Sequence, residues 1–277
     1  MLDRSLICAA LLASALFATP ATAQVVDFGK YPAFKGQWFR TGPPNNWRQV
    51  AGLPPYTPEA QKKWEAIQND LKNGGPGNWP STYCIPTGMP AMMNLYNPME
   101  IVITPEITYI LMSHNSDNFR RIYTDGRNFP DEGTVDPTFA GYSIGKWIDE
   151  DGDGKYDVLE VETRNLREPR AYDVTGLPFA GDGKTVIKER FYLEKGDPNV
   201  LWDDITVMDS ALTRPYSKHQ KTIRTNQPWA SETCAADNNW VKIGEENYFV
   251  NTADGRLMPS KKGQQPPDLF YFNSPQK

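Results

Sequence analysis

Met99–Asp125 reads MEIVITPEITYILMSHNSDNFRRIYTD. Apolar residues recur at alternate positions in three runs, MEIVIT, ITYILMS and FRRIYTD, and the breaks between them, Thr104–Pro105 and HNSDN, are made of turn formers. A period of two marks strands with one face packed and the other wet. Short polar breaks between such runs mark the turns that join them. Toward the C-terminus the pattern returns in YSIGKWI (142–148), DVLEVETRN (157–165), TVIKERFYLE (185–194), LWDDITVMD (201–209) and SKHQKTIRT (217–225), and WVKIG or NYFV supplies a last short strand. Toward the N-terminus, apart from these runs, Gln37–Arg40 reads as a short strand with loops around it. About nine strands in sequence order with short connections predict a mainly β chain, an antiparallel up-and-down meander that closes into a barrel. A β-sandwich is the alternative.

One helix stands before the meander. In TPEAQKKWEAIQNDLKNGG, Thr57 is placed to cap, Pro58 suits a first turn, and Gly74 and Gly75 end the run. Ala60, Trp64, Ile67 and Leu71 fall on one face, so the helix spans about residues 58–73 with a packing stripe. Residues 1–23 have the form of a secretory signal peptide: Arg4, an apolar run from Leu6 to Phe17, and ATA before Gln24. That run is shorter than the roughly 20 residues of a membrane span. The expected mature chain, 24–277, is therefore a single exported domain, periplasmic or extracellular. Of three cysteines, Cys8 leaves with the leader. Cys84 and Cys234 remain as an even pair in an oxidising compartment and are expected to be bonded, a cross-link of about 5 kcal/mol in the chain-entropy picture. Net charge −5 with scattered Lys and Arg speaks against a nucleic-acid partner.

Two resemblances follow from the strand sequences. FKGQWFR is similar to the Gly-x-Trp signature (Gly36, Trp38) that opens the first barrel strand of lipocalins, although here the helix precedes the strands rather than following them. RRIYTDGR, GYSIGKW, VLEVETRNL, VIKERFYL and DDITVMDSALTRPY together resemble a group of exported bacterial proteins with lipocalin-like barrels, over residues 84–248. The resemblance implies a lipocalin-like barrel and an exported compartment. It brings no shared catalytic residues with it.

The acidic stretch Asp149–Glu160, DEDGDGKYDVLE, follows the ligand order of an EF-hand loop, with Asp149, Asp151, Asp153, Gly154, Asp157 and Glu160 at positions 1, 3, 5, 6, 9 and 12. Its flanks read as strands, which excludes a helix–loop–helix sensor. Two readings stay open. The loop is an acidic hairpin turn, as Asp-Gly pairs commonly are. Or it is a structural calcium staple, with oxygens from Asp149, Asp151, Asp153, Asp157 and the Lys155 carbonyl. In the second reading Glu160 is the weakest ligand, because a strand carries it away.

Other chemistry is sparse. Two histidines exclude a three-histidine zinc site, and there is no H-E-x-x-H, G-x-S-x-G, P-loop or dinucleotide fingerprint, so no organic cofactor is expected. Phe119, Arg121, Tyr123 and Asp125 share one strand face; Glu189 shares a face with Ile187 and Phe191; Asp203 and Asp204 face opposite ways. A barrel with such groups inside has the make-up of a small-molecule site. The first functional expectation is an exported binding protein for a small, partly apolar or aromatic molecule, held by Trp38, Arg121, Tyr123, Trp147 and Phe191. The alternative is a cofactor-independent acid–base enzyme (lyase, isomerase or hydrolase) drawing on His114, Tyr123, Asp125, Glu189 and Asp203. A structural envelope protein is the third. Oligomeric state is left open by the sequence.

Overall fold

The computed structural model describes residues 28–41, 46–75, 77–94, 96–114, 117–229, 240–250 and 256–268. The expected leader over residues 1–23, with Cys8, and Cys234 lie outside these residues. The expectation of a mainly β chain with a closed barrel holds. Strands β1 (Gly36–Arg40), β2 (Met99–Ile103), β3 (Ile107–Ser113), β4 (Asp117–Tyr123), β5 (Tyr142–Ile148), β6 (Val158–Arg164), β7 (Val186–Glu194), β8 (Asp197–Met208) and β9 (Tyr216–Arg224) form the barrel in sequence order, and β1 closes it by pairing with both β2 and β9. The C-terminal runs form a separate three-stranded sheet, β10 (Trp240–Ile243), β11 (Glu246–Val250) and β12 (Leu257–Pro259), with its own small core of Tyr248, Val250 and Leu257.

The meander is not antiparallel throughout. β4 and β5 run parallel and share only the pairs Ile122↔Ser143 and Tyr123↔Ile144. Parallel neighbours need a connection that returns to the starting end, and residues 124–141 are that return. The barrel is thus two hairpin arrays, β2–β4 and β5–β9, joined by this short seam and by β1. On the β1–β9 side the joint is reinforced by Arg224, whose Nη1 donates to the Lys35 carbonyl at 2.8 Å and whose guanidinium lies 4.3 Å from the Trp38 ring.

Two short helices precede β2. The first, α1 (Trp47–Ala51), occupies a segment that the sequence presents as loop, and Asn46 caps it by accepting from the Gln49 amide at 2.9 Å. The second, α2 (Pro58–Lys72), is the expected helix, capped by the Thr57 hydroxyl, which accepts from the Ala60 amide at 3.3 Å. Its stripe is only partly buried: Ala60 is inside, Trp64 and Ile67 are half-buried, and Leu71 is exposed. Polar latches finish the attachment, with Gln68 donating to the Thr175 carbonyl and Lys63 to that of Phe179.

The lumen is a packed core. Trp38, Ile110, Ile122, Leu159, Phe191 and Leu201 point inward and are all but inaccessible. Gly145 shows how closely the walls meet: a methyl group there would lie 2.6 Å from Ile122 and 3.0 Å from Leu159. At the end where β1 and β3 finish, chain from outside the barrel plugs the opening. The plug combines Met89, Met92 and Met93 with the rings of Trp47, Tyr172 and Phe179; Tyr172 and Phe179 stack at 4.1 Å and 8°. The acidic loop sits at the opposite end, between β5 and β6.

Candidate functional site

Strand parity decides where the expected residues go. On β4 the inward positions are Arg120 and Ile122, so Arg121 and Tyr123 face outward, contrary to the expectation that they line the lumen. They border an outer groove of about 450 Å³ with Phe119, Phe139 and Tyr142. Asp125, past the end of β4, pairs with Arg127 at 2.6 Å in solvent, and that neighbour holds its carboxyl below the usual range. Trp38 and Phe191 are inside but serve the core, and Trp147 is half-buried against Phe34, Tyr31 and Tyr156. Trp202 lies on the outside, stacked on His219 at 4.0 Å, and His219 in turn bonds Asp204.

Glu189 and Asp203 do face inward, near enough for the Glu189 charge to act on Asp203. Glu189 clamps Arg120: Nη1 donates to Oε1 at 2.8 Å and Nη2 to Oε2, with both side chains fully buried. Arg120 also donates from Nη2 to Thr163 at 2.8 Å and from Nε to Ser143 at 3.1 Å. Four strands, β4 to β7, are thereby laced from inside across the short parallel seam. Asp203 has no such support. It is 2 % exposed and neither carboxyl oxygen has a hydrogen-bond partner. Burial first, then the nearby Glu189 charge, pushes its carboxyl well above the usual carboxylate range. Asp203 is thus the lumen carboxyl whose surroundings disfavour its charged form.

A pocket opens beside the plug, on the same rim. It has a volume of about 140 Å³, room for roughly five waters at liquid density. Arg40 from the end of β1, Asn46, Trp79, Asn94, Tyr96, His114 and Asp173 line it, with Ala91 at its base and Val174 at its edge. Of the expected site residues only His114 is here, placed just past β3; its Nε2 is 3.2 Å from the Ser81 hydroxyl. Asp173 is committed to structure. One oxygen accepts from the Trp47 amide at 2.5 Å, the other from the Thr175 amide at 2.9 Å and from its hydroxyl. Asn94 Oδ1 accepts from Lys218 Nζ at 3.0 Å and lies 3.5 Å from Arg40 Nη1. Burial lowers the Lys218 ammonium to about 8, the Arg40 charge adds to the drop, and Asp173 and Asp203 oppose it.

Arg40, Asn94 and Asp173 escape sequence reasoning because a strand end, the plug and a loop supply them from distant parts of the chain. The one local sign was parity: Arg40 shares the face of Trp38.

In the acidic loop, ligand atoms of Asp149, Asp151 and Asp153 lie within 4.8 Å of one another. These carboxylates also hold the turn. Asp149 accepts from the amides of Gly152 and Gly154 at 2.7 and 2.9 Å, Asp153 from that of Lys155 at 2.8 Å, and Asp157 pins the base by accepting from the Glu150 amide at 2.8 Å. Cys84 follows a short 3-10 turn (Pro80–Tyr83) and adopts φ 54°. Among the described residues no helix is long and apolar enough to cross a membrane. Comparison of the sequence with family models and with curated proteins finds no match.

Proposed function

We propose that this is an exported binding protein for a small, partly aromatic molecule, and that the molecule binds in the rim pocket rather than in the lumen. The observation that carries this reading is the lining of that pocket. Trp79 and Tyr96 supply apolar walls, while Asn46, Asn94, His114 and Arg40 bring polar groups to one small concavity, the usual composition of a ligand site. The packed lumen moves the site outward. The acid–base alternative is less well supported: His114 and Asp173 share the pocket, but the Asp173 oxygens are already engaged by Trp47 and Thr175. A Cys84–Cys234 disulfide remains part of the proposal, as expected for an exported chain.

Val174 offers a clean test, because it edges the pocket yet is 53 % exposed, so that a larger side chain there leaves the core alone. Fragments that raise the melting temperature of the wild-type protein should fail to raise that of Val174→Trp. A fragment library that stabilises neither protein, or both equally, overturns the reading.

The acidic loop is a separate proposal: a calcium ion held by Asp149, Asp151, Asp153 and Asp157 with the Lys155 carbonyl would staple the β5–β6 turn. Its binding to the native state alone would add about 2.7 kcal/mol at a hundredfold excess over Kd. Millimolar calcium should raise the melting temperature, chelator should lower it, and magnesium should do much less. Asp151→Ala with Asp153→Ala should remove the calcium response without touching the rim pocket. Identical melting curves in calcium and in chelator would leave only a hairpin turn.

A further inference from the structure

We infer that the rim pocket takes an organic monoanion, a carboxylate bound by Arg40. The inference rests on the rim-pocket reading and names the class of ligand.

Three arginines of the described barrel and plug are largely buried, and two of them have carboxylates. Arg120 is 0 % exposed and clamped by Glu189; Arg170 is 4 % exposed and meets Glu168 at 2.7 Å, Thr185 at 2.8 Å and the Met89 carbonyl at 3.3 Å. Arg40 is the exception. It is 9 % exposed, and among the described residues no carboxylate comes within ion-pair distance of it. Among the described residues its side chain makes one hydrogen bond, the 3.5 Å contact with Asn94, and its guanidinium lies 3.9 Å from the Tyr96 ring centre. A guanidinium carries five donors in a planar fork that matches a carboxylate edge to edge. Holding that charge away from water without a counter-charge is costly. A fold that supplied Glu189 and Glu168 to its other buried arginines has left Arg40 facing a pocket.

The charges around the pocket set the ligand's charge. Lys218 approaches the same Asn94 oxygen from the lumen side, His114 faces the pocket from the end of β3, and Asp173 contributes a negative charge whose oxygens are engaged elsewhere. Nη1 of the guanidinium is already shared with Asn94, and Asp173 in the same lining repels a second negative charge. A monoanion fits this balance and a phosphate dianion does not. The volume of about 140 Å³ limits the enclosed part to a carboxylate and a few further atoms, with the rest of the ligand lying against Trp79.

Benzoate and benzamide have the same shape and differ in charge, which makes them the probes. At constant ionic strength benzoate should raise the melting temperature of the wild-type protein and bind at least about tenfold more tightly than benzamide or inorganic phosphate, as loss of a charged hydrogen bond implies. Arg40→Met should lose the benzoate response and, freed of an uncompensated charge, melt no lower than wild type. Val174→Trp should lose the response with Arg40 in place. Equal binding of benzoate and benzamide, each lost in Val174→Trp, would overturn the anion inference and leave the rim pocket standing as a neutral site. A benzoate response that survives in Val174→Trp, or an Arg40→Met protein that melts far below wild type and still responds to benzoate, would also overturn it. Failure of every fragment and both probes would remove the pocket and the inference together.

Discussion

Arg120→Met should lower the stability of the folded protein by about 3–5 kcal/mol, as removal of one partner from a buried ion pair does. The substitution leaves the Glu189 carboxylate in the lumen with no cation clamped to it and takes the donors away from Ser143 and Thr163. Glu189 lies close enough to Asp203 to press on its ionisation, so the uncovered charge falls where a second carboxyl already waits. Removing both members should be far milder. Arg120→Met/Glu189→Leu exchanges a charged pair for apolar groups of similar bulk in a cluster that already holds Ile122 and Phe191, and should recover most of the loss. Urea midpoints at constant m-value give both differences. A single variant within 1 kcal/mol of wild type, judged against the same roughly 3–5 kcal/mol scale, would show that Arg120 does not lace the seam.

The second large effect is a dependence on pH. The Asp203 carboxyl is held well above its usual range in the folded protein by burial and by Glu189, whereas in the unfolded chain it titrates near 3.9. Above that unfolded value the folded protein keeps a proton that the unfolded chain has released, so rising pH favours unfolding. The loss reaches about 1.4 kcal/mol per pH unit until the folded carboxyl itself ionises. Asp203→Asn has nearly the same shape and no proton to lose. Its stability relative to wild type should therefore climb steadily as pH is raised from about 4 toward neutrality. Denaturation profiles of the two proteins that stay parallel across that range would show that Asp203 is not the proton holder.

The sequence exposed the strands far better than their arrangement. YSIGKWI and VIKERFYLE alternate so regularly that β5 and β7 appear within one residue of their expected limits. The same alternation placed Glu189 beside Ile187 and Phe191. It could not choose a face for FRRIYTD, where both faces carry an arginine; Ile122 settles inward and takes Arg120 with it, sending Arg121 and Tyr123 out. Nor could it foresee the parallel seam, since residues 124–141 read as turn and loop whichever way the next strand runs. The rim pocket was the least legible part. Arg40 and Asn94 are 54 positions apart, and Asn94 and Lys218 124. Only closure of the barrel and insertion of the plug bring them together.

Closure of the ring also has a cost in time. The hairpins from β5 to β9 and from β2 to β4 join neighbours in the chain and can form as soon as their residues exist. The joint between β1 and β9 is of another kind: Arg224 reaches a carbonyl 189 positions earlier, and the entropy of bringing such distant segments together is lost before any contact rewards it. During synthesis β1 therefore waits for nearly the whole barrel to emerge. Until Tyr216–Arg224 is in place, β1 and β8 are both edge strands with unpaired amides and carbonyls, the templates on which separate chains join. A chain truncated before β9 should fail by association rather than by simple loss of a strand.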